Sequence, residues 1–73
     1  MSKIESLYKQ IGTKIRELRN SKNLTIAQLA ELAEIDDYYL GEIERAEKRA
    51  SLEILLKLST ALEIEIYDLF KFD

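Results

Sequence analysis

The 73-residue sequence predicts an all-α fold of five helices. Three observations carry that prediction. Proline is absent, glycine occurs only at positions 12 and 41, and no β-branched run offers a strand. Apolar residues recur at helical spacing along most of the chain. Thr25, Asp36 and Ser51 each stand just ahead of an apolar-periodic stretch, where a helix start needs a side-chain acceptor.

Taken in order, helix one is expected from about Ile4 to Ser21, with Ile4, Leu7, Ile11, Ile15 and Leu18 on its buried stripe and Leu24 closing the corner behind it. Thr25 caps helix two, and Gln28 three residues on completes a capping box. Leu29, Ala30, Leu32 and Ala33 recur at helical spacing in helix two, as Tyr39, Leu40 and Ile43 do in helix three. The link Glu34-Ile35-Asp36 is too short for anything but a sharp corner. Ile35 supplies its buried residue, the small Ala30 lets the two helices cross closely, and Asp36 caps helix three. Ser51 starts helix four, where Leu52, Leu55, Leu56, Leu58 and Leu62 face inward, and Ile66 to about Lys71 makes a short fifth helix. Residues 25–45 therefore read as a helix-turn-helix, a corner with few uses besides gripping DNA.

Composition narrows the function. Seventy-three residues leave room for one domain, 1–73, with no linker, repeat or low-complexity tract. Without cysteine there are no disulfides or thiolate metal sites, and without histidine the commonest general base and metal ligand is missing. No enzyme activity, cofactor or metal is expected. The acids Glu31, Glu34, Asp36 and Asp37 lack the glycine and alternating spacing of a cation loop and read as a solvated face. No apolar run approaches membrane-spanning length and no signal-peptide core follows Met-Ser-Lys, so a cytoplasmic location is expected. Asn23-Leu24-Thr25 fits the glycosylation pattern formally but reads as a turn followed by a helix cap.

The net charge of −3 speaks against a polyanion partner only if the total is considered. Lys3, Lys9, Lys14, Arg16, Arg19 and Lys22 make the first third basic, Arg45, Lys48 and Arg49 form a second cluster after helix three, and acids fill the rest. The outer edge of helix three is expected to present Asp37, Tyr38, Gly41, Glu42 and Arg45. Carboxylates there can accept from cytosine N4 but are repelled by phosphate, so affinity would depend on Lys14, Arg16, Arg45, Lys48, Arg49 and the amides opening helix two. Tyr38 has two readings, contact with a sugar or thymine methyl and packing on a neighbouring side chain.

An ordered set of blocks then carries a resemblance over nearly the whole chain, from Ile11-Gly12 to Asp68-Leu69-Phe70. They are Ile15-Arg16-Glu17-Leu18-Arg19, Leu24-Thr25, Leu29-Ala30, Tyr39-Leu40-Gly41-Glu42-Ile43-Glu44-Arg45, Ser51-Leu52-Glu53 and Ala61-Leu62. In these the chain resembles the lambda-repressor-like (XRE) regulators of bacteria and phages. The resemblance implies a compact five-helix DNA-binding domain, a buried ion pair between Arg19 and Glu44, and DNA contacts from Thr25, Ile26 and Gln28 as well as helix three. Relatives usually carry glycine where this chain has Glu34, Ala46 and Glu63, proline at Ala50 and a polar residue at Ile26. Tyr67, Phe70 and Phe72, extended by Ile54, are expected to form a homodimer surface within residues 64–73, giving a two-fold reader of a palindromic duplex operator. The alternative is a protein-interaction module, antirepressor or antitoxin-like, whose acidic helix-three face holds a basic protein partner.

Overall fold

The computed structural model describes residues 2–72. Four α-helices, α1 (Lys3–Ser21), α2 (Ile26–Ala33), α3 (Asp37–Glu44) and α4 (Leu52–Ala61), are followed by a 3-10 helix, Ile66–Phe70. The last element corrects the expectation of five α-helices. A five-residue segment closes at most one i→i−4 bond, so the tighter i→i−3 pattern satisfies more of its backbone.

Side-chain caps open the helices as the sequence suggests. Thr25 and Gln28 form a reciprocal capping box on α2, Asp36 accepts from the Tyr39 amide, and Ser51 from the Ile54 amide. A further capping box, Ser2 with Glu5, starts α1 one residue before its expected beginning. The helix ends share one device. The residues Asn23, Glu34, Ala46 and Glu63 have φ of 57°, 58°, 60° and 60°. Behind each, the next amide reaches back five residues: Leu24 to Arg19 at 3.1 Å, Ile35 to Ala30 at 2.9 Å, Glu47 to Glu42 at 2.8 Å and Ile64 to Ser59 at 3.0 Å. This left-handed termination satisfies orphan carbonyls and reverses the chain within a few residues. Three of the four occupants are neither glycine nor asparagine, at a cost of about 1 kcal/mol each.

The core is Ile11 and Ile15 of α1, Leu29, Ala30 and Ala33 of α2, Leu40 and Ile43 of α3, Ala50, Leu55, Leu58 and Leu62 in and around α4, and Leu69 of the 3-10 helix. Leu24, Ile26, Ile35 and Tyr39 pack against it part-buried. Four apolar residues expected inside are exposed: Ile4, Leu32, Leu56 and Leu52, the last 70% accessible. Each helix can face only one core, and the three leucines lie on rows left over once Leu55, Leu58 and Leu62, or Leu29, Ala30 and Ala33, have been buried, whereas Ile4 shares the row of Ile11 and Ile15 and is exposed in the first turn of α1. Among the described residues no helix is long and apolar enough to cross a membrane.

Candidate nucleic-acid interface

The back of α3 is fixed to α1 by two contacts. Gly12 sits so close to the end of α3 that an added Cβ would lie 2.6 Å from the carbonyl oxygens of both Ile43 and Glu44. Nearly two turns along α1, Arg19 donates from Nε to Glu44 Oε2 at 2.7 Å, from Nη2 to Oε1 at 3.0 Å, and from Nη1 to the Leu24 carbonyl at 2.8 Å. The Glu44 side chain is 1% exposed and that of Arg19 11%. Hydrogen bonding to Glu44 holds the guanidinium above its ordinary pKa. Arg16, one of the cations expected to meet phosphate, is about half exposed, and its Nε also stands 3.5 Å from Glu44 Oε1.

With its back held, α3 turns Asp37, Tyr38, Glu42 and Arg45 outward, Glu42 being half-buried and Tyr38 71% exposed. Gly41 departs from expectation. It is buried, because the Arg45 guanidinium folds back along the helix and Nη1 would stand 3.0 Å from a Cβ at that position. Arg45 in turn is gripped by Glu47, Nε to Oε2 at 3.0 Å and Nη2 to Oε1 at 3.1 Å. Lys48 is exposed, and Arg49 lies over the Tyr8 ring, 5.5 Å from its centroid. Two tyrosines latch this loop. The Tyr8 hydroxyl donates to the Ala50 carbonyl at 3.3 Å and that of Tyr39 to the Arg49 carbonyl at 3.4 Å.

The remaining candidates divide. Thr25 and Gln28 are committed to each other in the α2 cap, and Ile26 packs partly on the core. Lys14 is not beside Arg16. It is half-buried, lining a groove with Thr13, Lys71 and Phe72 at the carboxy-terminal segment, and its charge bears on Asp68. Residues two apart on a helix point about 200° away from each other, so both could not serve one surface. Tyr67 and Phe70 are exposed, whereas Ile54 and Phe72 are part-buried against the core. Glu31, Glu34, Asp36 and Asp37 are all exposed, and no group of acids that could hold a metal occurs among the described residues.

The helix-turn-helix family model HTH_3 matches residues 15–69, which takes in α2, α3, α4 and the Arg19–Glu44 pair, with Tyr8 and Gly12 lying ahead of it. The chain belongs to the lambda-repressor-like helix-turn-helix family. Members are DNA-binding transcriptional regulators, not enzymes. It is similar to the restriction-modification controller protein C.AhdI of Aeromonas hydrophila, with 43% identity and a TM-score of 0.85 over 86% of this chain and 96% of that one. The structure of SinR, a master regulator for biofilm formation, in complex with DNA matches at 32% identity and a TM-score of 0.79, over 84% of this chain and 98% of that one. The control protein C.SmaI of Serratia marcescens is 34% identical over 56 residues, 77% of this chain and 67% of its own length. The chain spans about half or less of several other curated relatives.

Within the helix-turn-helix family pattern, Glu34, Ala46 and Glu63 keep the left-handed backbone that glycine usually occupies. Two residues of the surface lacked a sequence signal of their own. Glu47 lies beyond the helix, where periodicity is silent. Tyr8 is on α1, and only the fold brings it to the loop after α3.

Proposed function

We propose that this regulator binds duplex DNA as a homodimer, with α3 in the major groove and the loop of Lys48 and Arg49 on the adjoining phosphates. The observation that carries the reading is the outward edge of α3, free of core duties while Gly12 and Glu44 fix the opposite side to α1. That edge is short. Eight residues rise about 12 Å, the length of three or four base pairs. The molecule itself measures 31 × 23 × 21 Å. Successive major grooves on one face of DNA recur every 34 Å or so, so a longer site needs a second chain.

A two-fold dimer supplies it, and a palindromic operator is its natural partner. Exposed Tyr67 and Phe70 offer apolar area for the contact within residues 64–73, and Ile54 and Phe72, part-buried against the core, would extend it. Lys48, Arg49 and Arg16 provide cations for phosphate, while Asp37 and Glu42 discourage contact except where a cytosine amine can donate. The likeness to C.AhdI and C.SmaI supports transcriptional control of the kind their designation as control proteins describes. A second reading has the acidity of the same edge behind it: Asp37, Glu42 and Glu47 holding a basic protein.

Titrating the full chain into a labelled duplex at several salt concentrations separates the two. Duplex binding whose log K falls linearly with log salt supports the first reading. Absence of duplex binding at low salt, with capture of a basic peptide, supports the second. Sedimentation equilibrium of the wild type against Tyr67→Lys/Phe70→Ser tests the dimer: the wild type should be two-fold associated at micromolar concentration and the variant monomeric, and a monomeric wild type would overturn it.

A further inference from the structure

Arg45 closes the outward edge of α3, and it is not a free cation. Both nitrogens of its Nε–Nη2 edge are donated to Glu47, at 3.0 and 3.1 Å. The side chains are 46% and 54% exposed, so burial does not force the pairing. Most exposed ion pairs contribute little, but a two-pronged match between guanidinium and carboxylate fixes the plane of the arginine as well as its position. The acid is itself anchored. Glu47 follows the left-handed Ala46, and its amide donates to the Glu42 carbonyl at 2.8 Å, closing the end of α3.

The other side of the guanidinium lies on Gly41, where a Cβ would come to 3.0 Å from Nη1. A groove of glycine on one side and a carboxylate on the other therefore hold Arg45 flat along the helix. Among the described residues Nη1 has no hydrogen-bond partner, and Nη2, which spends one N–H on Glu47, keeps its second to complete an end-on Nη1–Nη2 fork.

We propose that Glu47 is a specificity-determining residue that acts through Arg45, holding its Nε–Nη2 edge so that the Nη1–Nη2 fork is presented to a guanine and withheld from phosphate. The inference rests on the reading of α3 as the DNA-reading helix. Guanine O6 and N7 accept two parallel bonds from an arginine fork, the commonest specific contact in the major groove. A mobile arginine at the same place finds phosphate oxygens on any sequence, which adds affinity without information. Tethering by Glu47 removes that option and pre-orients the fork, so the acid lowers non-specific binding more than specific binding. The hydrogen bonds from Arg45 hold the Glu47 carboxyl below its ordinary pKa, which keeps the tether charged at neutral and mildly acidic pH.

The test compares the tightest duplex selected by the wild type from a random pool with a shuffled duplex of equal composition, by anisotropy at several salt concentrations. Glu47→Gln should tighten the shuffled duplex about fivefold and change the selected one by less than about twofold, as expected for release of one exposed pair. Its log-log salt slope on the shuffled duplex should steepen by about 0.9, the share of one additional phosphate contact. In an Arg45→Ala background the same change should move neither the discrimination nor the slope. Gly41→Ala keeps every charge and should also lower discrimination, by pushing the guanidinium off the helix. Equal tightening of both duplexes by Glu47→Gln would reduce it to a general charge effect and overturn the proposal, as would an undiminished effect without Arg45. A wild type that binds duplexes but loses no discrimination on Glu47→Gln refutes only the role of Glu47, whereas a wild type that binds no duplex refutes the reading of α3 and this inference with it.

Discussion

Arg19→Met should be among the most damaging conservative-volume changes available to this domain. The substitution keeps much of the aliphatic stem and removes all three guanidinium bonds, two to Glu44 and one to the Leu24 carbonyl. What it leaves behind decides the magnitude. Glu44, 1% exposed, is left without its two shortest hydrogen bonds in a buried site, and stranding one member of a buried pair costs about 3–5 kcal/mol. Arg16, already 3.5 Å from Oε1, offers a partial replacement and places the loss near the lower end, about 3 kcal/mol. For a domain of this size that corresponds to a fall in Tm of roughly 12–24 °C. Arg16→Met removes the more distant, half-exposed partner and should cost under about 1 kcal/mol. Thermal and urea unfolding of both variants, with Arg19→Met/Glu44→Leu as the closing member of the cycle, check this. The double variant should recover most of the loss, because no charge is left buried. Equal, small losses for Arg16→Met and Arg19→Met, or no recovery in the double variant, would refute the reasoning.

Other outcomes follow from single contacts. Gly12→Ala should destabilise by about 1–3 kcal/mol in chemical denaturation, since its new methyl meets two backbone carbonyls that cannot move aside. Glu34→Gly and Glu63→Gly should each raise stability by up to about 1 kcal/mol, as the relief of left-handed strain exceeds the added entropy of the unfolded chain; a loss in either would show that its side chain matters more than its φ. Replacing Lys48 and Arg49 together should weaken binding to all duplexes alike and make the log-log salt slope shallower by roughly two units, and an unchanged slope would move the phosphate contacts elsewhere.

Much of the architecture was legible because helix boundaries are local chemistry. Thr25 with Gln28, Asp36 and Ser51 each declare a helix start through one side-chain acceptor, and the structure uses all three. The Ser2–Glu5 box has the same pattern and marks the start of α1 as plainly. Which apolar residues reach the core was less legible. Leu52 and Leu56 share a row of α4 that competes with the Leu55, Leu58 and Leu62 face, and periodicity alone does not choose between two apolar rows. Lys14 and Arg16 could have been separated by helical angle without a structure. The state of the outward edge was hidden for a different reason. Burial of Gly41 comes from the fold-back of Arg45, and that in turn from Glu47, a partner set by a left-handed residue after the helix rather than by spacing.

The central claim, a dimer reading duplex DNA through two copies of α3, is tested most directly by sequencing the duplexes that the full chain selects from a random pool. The account predicts enrichment of an inverted repeat whose half-sites span a few base pairs and are centred about one helical turn, roughly 34 Å, apart. Enrichment of a single unrepeated half-site would contradict the dimer, and no enrichment at low salt would contradict DNA reading by α3.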